Sequence, residues 1–166
     1  MFSRYNLPQQ MQLKEFEMET MSKILERAKK RAEESNLPYA GALTPQEAYE
    51  ILQKTPHAKL VDVRSEAELD LVGKIPVAAH IEWAFYPGMV ANPDFATHLE
   101  MQVDKEALVI FMCRTGGRSH NAAATAAKLG FTEAYNMLEG FEGEANAEKQ
   151  RTLINGWKKA GLPWSN

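Results

Sequence analysis

The segment Ala107-Leu108-Val109-Ile110-Phe111-Met112 is apolar at every position and runs directly into Cys113-Arg114-Thr115-Gly116-Gly117-Arg118, followed by an alanine-rich stretch from Ser119 to Leu129. A strand with one solvated face alternates apolar and polar residues, so an unbroken apolar run predicts a central strand covered on both faces. The alanines predict a helix, and Gly130 supplies its C-terminal stop. Strand, loop and helix in that order put the loop at the carboxyl edge of a sheet, where open α/β proteins bind ligands.

Upstream, the pattern alternates in the same way. Thr44, Pro45 and Glu47 form the signature of a helix start with a capping box, predicting a helix to about Lys54. Lys59 to Val63 reads as a short strand, Glu66 to Leu71 as a polar helix and Ala78 to Ile81 as another strand. Downstream, Ala134 to Met137 reads as a last strand and Ala145 to Lys159 as a last helix. Short apolar runs separated by helices predict an α/β fold with an open, mostly parallel sheet of about five strands and helices on both faces. No internal repeat or low-complexity segment interrupts it.

The first 40 residues differ in kind. From Gln9 to Ser35, Met18, Met21, Leu25, Ala28 and Ala32 recur at spacings of three and four, the seam of an amphipathic helix. Glu15, Glu17 and Glu19 toward its start and Lys29, Lys30 and Arg31 toward its end suit the helix dipole, and Asn36-Leu37-Pro38 stops it. The expected organisation is an N-terminal helical extension over residues 1–40 and one domain over 41–166. An isolated helix of that length is marginal in water, so its stripe must pack on the domain or on a second subunit; a monomer and a homodimer both satisfy this.

Charge and cysteine content narrow the function classes. A net charge of -3 without basic runs among aromatics lacks the footprint of a nucleic-acid binder, so no nucleic-acid partner is expected. The apolar run at 107–113 is too short to span a bilayer, so no membrane is expected as a partner. The opening residues, Met1 to Asn6, show no secretory leader, and one cysteine allows neither an intramolecular disulfide nor a cysteine-rich zinc site. A cytoplasmic location is the expectation. His57, His80, His98 and His120 have no ligand spacing, so neither metal nor cofactor is expected.

The loop carries the chemistry. Gly116 and Gly117 let successive N–H groups turn inward as an anion-binding nest, the following helix adds the positive end of its dipole, and Arg114 and Arg118 add charge. Such surroundings favour the ionised form of a thiol, the form that attacks. Cys113 is therefore the candidate nucleophile.

With LVDVR at 60–64, CRTGGRS at 113–119 and AGLP at 160–163, the chain resembles the rhodanese family over roughly residues 42–164. The resemblance implies a sulfurtransferase in which Cys113 takes sulfane sulfur from a donor such as thiosulfate, holds it as a persulfide and passes it to cyanide or a thiol. It implies that Arg114, Thr115, Gly116, Gly117, Arg118 and Ser119 form the substrate-binding loop, with Arg118 on the sulfite part of the donor, and that Asp62 and Arg64 organise the site. Its partners would be small sulfur donors and thiol or cyanide acceptors, with a protein thiol as a further acceptor. Gly73-Lys74-Ile75-Pro76-Val77-Ala78 departs from the family's GHIPGA-like turn, and Trp83, Tyr86 and the 140–157 segment are candidates for shaping the pocket.

Two alternatives use the same residues. Cysteine-dependent phosphatases and arsenate reductases carry C-x-x-x-x-x-R, whereas only four residues separate Cys113 from Arg118, a tighter bowl that suits sulfur. A non-catalytic module of the same fold has no chemical need for the cysteine, both glycines and Arg118 together.

Overall fold

A computed structural model of the chain describes residues 8–166. In chain order it contains α1 (Gln9–Glu34), β1 (Gly41–Leu43), α2 (Pro45–Lys54), β2 (Lys59–Asp62), α3 (Glu66–Val72) and β3 (Ala79–His80). A hairpin of β4 (Ala84–Phe85) and β5 (Val90–Ala91) follows, then α4 (Phe95–Gln102), β6 (Val109–Met112), α5 (Gly117–Lys128) and β7 (Ala134–Met137).

All four residues of β6 are buried, and β6 sits in the middle of a five-stranded sheet of order β1-β7-β6-β2-β3. Every pairing in that sheet is parallel. Alternation along the strands divides the core in two. Val61, Val109, Phe111 and Cys113 face Phe95 and Leu99 of α4 and the α5 alanines Ala122, Ala123 and Ala126. Leu60, Ile110 and Met112 face Ile24 and Ala28 of α1, Ala48 and Ile51 of α2, and Phe141 and Trp157. Each layer buries apolar surface worth roughly 25 cal/mol per Å², which is why one apolar strand fixes two layers of helix.

Both halves of the expected capping box are present: Glu47 N–H donates to Thr44 Oγ1 at 3.2 Å, and Thr44 N–H donates to Glu47 Oε1 at 2.9 Å. Glu47 also receives Arg31 Nη1 at 2.6 Å and Arg27 Nε at 3.1 Å, so the cap of α2 locks α1 in place. On α1, Ile24, Ala28 and Ala32 are buried and Met21 and Leu25 pack partly buried beside them, all within one chain. The expectations for the side chains of Glu15, Glu17, Met18 and Glu19, and for residues 1–6, lie outside the described residues.

One expected element is absent. Residues 145–159 form no helix but a chain of turns. Asn146 Oδ1 accepts from Glu148 N–H at 3.0 Å and Gln150 N–H at 2.9 Å, giving the backbone an alternative to helical bonding. Lys149 and Thr152 then take φ of 64° and 71°, left-handed values that no right-handed helix admits. The segment is anchored instead by Trp157, whose Nε1 donates to Pro163 O at 2.9 Å and whose backbone N–H donates to Gly140 O at 2.9 Å. The departing turn at 73–78 closes all the same, because Lys74 pairs with Ser165 and Ile75 is buried.

Candidate active site

Cys113 is the first residue beyond β6 and is 1% exposed. The chain turns sharply there: Gly116 takes φ 108° and serves as the N-cap of α5 without a side-chain cap. Its N–H donates to Cys113 Sγ at 3.1 Å, and Ser119 Oγ lies 3.3 Å from the same sulfur. The sulfur thus sits at the positive end of α5, bonded to the backbone N–H of its N-cap residue.

The loop is held from behind. Phe141 N–H donates to Cys113 O at 2.8 Å and Glu142 N–H to Arg114 O at 3.0 Å. That approach requires Gly140, at φ 71°, since a side-chain carbon there would overlap the Arg114 backbone. Asn136 of β7, buried, donates from Nδ2 to Gly116 O at 3.2 Å. Thr115 and Gly117 are exposed on the outer side of the loop, while Ser119 is buried.

Beneath the loop, Asp62 and Arg64 form a buried ion pair, 1% and 0% exposed, through Arg64 Nη2 to Oδ2 at 2.7 Å and Nε to Oδ1 at 3.0 Å. Arg64 also donates to Gly73 O at 2.9 Å and lies 4.2 Å over the Phe141 ring. The pair therefore reaches the loop through Phe141.

Arg118 does not point freely into solution. Its Nη1 and Nη2 donate to Glu68 Oε2 and Oε1 at 2.8 and 2.7 Å, a bidentate fork. Glu68 in turn accepts from Ser65 N–H and Ser65 Oγ, both at 2.9 Å, as the capping box of α3. Burial by itself would raise the Glu68 pKa, but hydrogen bonds from Arg118 and Ser65 and the charge of Arg118 outweigh it and lower the value to about 2. The hydrogen bonds to Glu68 foremost, with the charges of Glu68, Cys113 and Asp62, raise that of Arg118 against opposing desolvation. Arg114 is paired as well, Nε to Glu142 Oε2 at 3.1 Å.

Beside these groups is a cleft of about 430 Å³ lined by Glu68, Arg114 and Arg118 and by Leu71, Tyr86 and Met89. Tyr86 is thus a wall of the cleft, whereas Trp83 stacks edge-on with Phe95 at 4.9 Å and belongs to the core. The 140–157 segment contributes Glu142 to the site and Phe141 and Trp157 to the packing behind it. Of the histidines, His80 Nε2 meets Arg64 O and His120 Nδ1 meets Tyr39 OH, each at 2.7 Å. Among the described residues no cluster of histidine, cysteine and carboxylate side chains has the form of a metal site.

Residues 44–147 match the rhodanese-like domain family. The chain belongs to it. This rhodanese-like chain is 42% identical to Rv0390 from M. tuberculosis, whose crystal structure superposes with a TM-score of 0.69 over 76% of this chain and 97% of that one. An uncharacterized protein of Rickettsia conorii is 37% identical over 119 residues, 70% of this chain and 90% of its own length. The thiosulfate sulfurtransferase GlpE of Actinobacillus succinogenes is 30% identical over 121 residues, 73% of this chain and 86% of its own. The loop holds Cys113, Arg114, Gly116, Arg118 and Ser119 together at the start of α5, and the Asp62–Arg64 pair touches it through Phe141. Sequence reasoning missed Glu68, Glu142 and Asn136. Only Glu68 left a signal, the Ser65-x-x-Glu68 spacing of a capping box.

Proposed function

We propose that the chain is a sulfurtransferase that carries sulfane sulfur as a persulfide on Cys113, taking it from a donor such as thiosulfate and delivering it to a thiophilic acceptor, cyanide or a thiol. The observation that carries this reading is the placement of the sole cysteine: its sulfur accepts the Gly116 N–H at the start of α5, in a loop whose two arginines line a cleft. In the first half-reaction the Cys113 thiolate attacks the outer sulfur of thiosulfate, a new S–S bond forms, and sulfite leaves with the electron pair of the broken one. The loop amides and the α5 dipole then face the terminal sulfur of the persulfide anion. In the second, cyanide or a thiolate attacks that sulfur and Cys113 leaves as thiolate. Asp62 and Arg64 organise the loop from below, and a thiol that must stay reduced between turnovers suits the cytoplasm.

The family relationship and the similarity to the thiosulfate sulfurtransferase GlpE support the reaction class. The test is thiocyanate formation from thiosulfate and cyanide by wild type and Cys113→Ser. Turnover by the wild type alone is expected; turnover by both, or an aryl phosphatase activity that exceeds sulfur transfer and vanishes in Cys113→Ser, overturns the proposal.

A further inference from the structure

We infer that Glu68 sets the donor specificity of the Cys113 site, biasing it against dianionic thiosulfate and toward an organic hydropersulfide, R–S–SH. The inference rests on the sulfurtransferase reading and deepens it. A free arginine at the mouth would attract a dianion, but Arg118 gives its fork to Glu68. The pair carries no net charge, and Glu68 lines, together with Arg114 and Arg118, the cleft beside the Cys113 loop. Glu68 cannot lose this charge at any ordinary pH, with its pKa lowered to about 2: burial raises it, and the bonds and charge of Arg118 and the Ser65 bonds overcome that. Nor can it swing aside cheaply, because Ser65 N–H and Oγ pin it as the cap of α3.

The second arginine tells the same story, since Arg114 is matched by Glu142. Two cations and two carboxylates leave the mouth electrically balanced. What it offers instead is apolar surface: Leu71, Tyr86 and Met89, 83%, 66% and 45% exposed, line the same cleft. Thiosulfate has no group to cover them; an organic thiol persulfide does. The transfer balances without a further reactant. The Cys113 thiolate attacks the outer sulfur of R–S–SH, the new S–S bond gives Cys113–S–SH, and R–S⁻ leaves with the electron pair, the proton staying on the transferred sulfur.

Glu68 acts through Arg118, so it is a positioning residue, and its signature is a change in donor preference. The experiment measures kcat and KM of the full chain with thiosulfate and with glutathione hydropersulfide, with cyanide as acceptor, for wild type and Glu68→Gln. The Gln amide oxygen still accepts from Ser65, while Arg118 is released from a charged partner. Wild type should use the hydropersulfide with the higher kcat/KM, and Glu68→Gln should move the ratio toward thiosulfate by about tenfold or more, chiefly by lowering the thiosulfate KM. Sulfate, an unreactive tetrahedral dianion, should compete weakly against the hydropersulfide in the wild type; this measurement needs no variant. A wild type that prefers thiosulfate and is strongly inhibited by sulfate overturns the inference while leaving the sulfurtransferase reading intact, as does a ratio unmoved in folded Glu68→Gln. Failure of both donors to load Cys113 overturns both.

Discussion

Asp62→Ala is the substitution whose cost the structure fixes most tightly. It removes the carboxylate that receives Arg64 Nε and Nη2 and also the Arg64 backbone N–H at 3.0 Å, leaving a guanidinium that is 0% exposed with only Gly73 O among those bonds. Breaking a buried pair from one side costs about 3–5 kcal/mol, because the surviving charge cannot reach water. In a chain of this size each kcal/mol lowers Tm by about 2–4 °C, so the expected loss is roughly 6–20 °C. Arg64→Met should cost a similar amount by stranding Asp62. The double variant removes both charges and should lose less than the sum of the singles by at least about 2 kcal/mol in a double-mutant cycle. Urea unfolding of the four proteins measures all three quantities. Sulfur transfer should fall in the single variants as well, because Arg64 supports Phe141 and Phe141 N–H holds the Cys113 carbonyl. Additive losses, or a single loss below about 1 kcal/mol, would refute a buried charged pair beneath the loop.

Arg118→Ala should lower kcat/KM for thiosulfate by about ten- to a hundredfold, since it removes a charge-assisted donor and bares the Glu68 carboxylate, and should affect a hydropersulfide less; steady-state kinetics with both donors checks this. Glu68 has a folded pKa of about 2, below its unfolded value of about 4.3, so its contribution to stability is complete above the unfolded value and is lost as pH falls through the folded one. The stability gap between wild type and Glu68→Gln in urea should therefore be constant near neutrality and close between pH 4 and about 2. Deleting residues 1–38 should lower Tm, because it uncovers the sheet face that Ile24 and Ala28 bury and removes the Arg27 and Arg31 bonds to Glu47; differential scanning calorimetry reads the shift.

The elements legible in the sequence are those whose residues specify them locally. The run at 107–112 had to be a central strand, and Thr44-Pro45 with Glu47 had to begin a helix, because burial pattern and capping chemistry act within a few residues. β1 and the β4–β5 hairpin, three and two residues per strand, are too short for a period to show. α4 rests on two buried residues, Phe95 and Leu99. The helix expected at 145–159 failed because its polar residues make local turns around Asn146, a competition that composition does not reveal. The same division holds at the site. Cys113 and its glycines announce themselves in one loop, and the Asp62–Arg64 pair follows from two residues of one strand end. The bond from Arg118 to Glu68 spans 50 positions and that from Asn136 to Gly116 spans 20, so each becomes visible only when the sheet brings α3, α5 and β7 together.

The central claim is that Cys113 carries sulfur, and intact-protein mass spectrometry tests it most directly. After incubation with thiosulfate or glutathione hydropersulfide and removal of excess donor, the wild type should gain the mass of one sulfur atom, lose it on addition of cyanide, and show no gain as Cys113→Ser. A wild type that stays unmodified under conditions that load GlpE, or a Cys113→Ser variant that gains the same mass, would contradict the account.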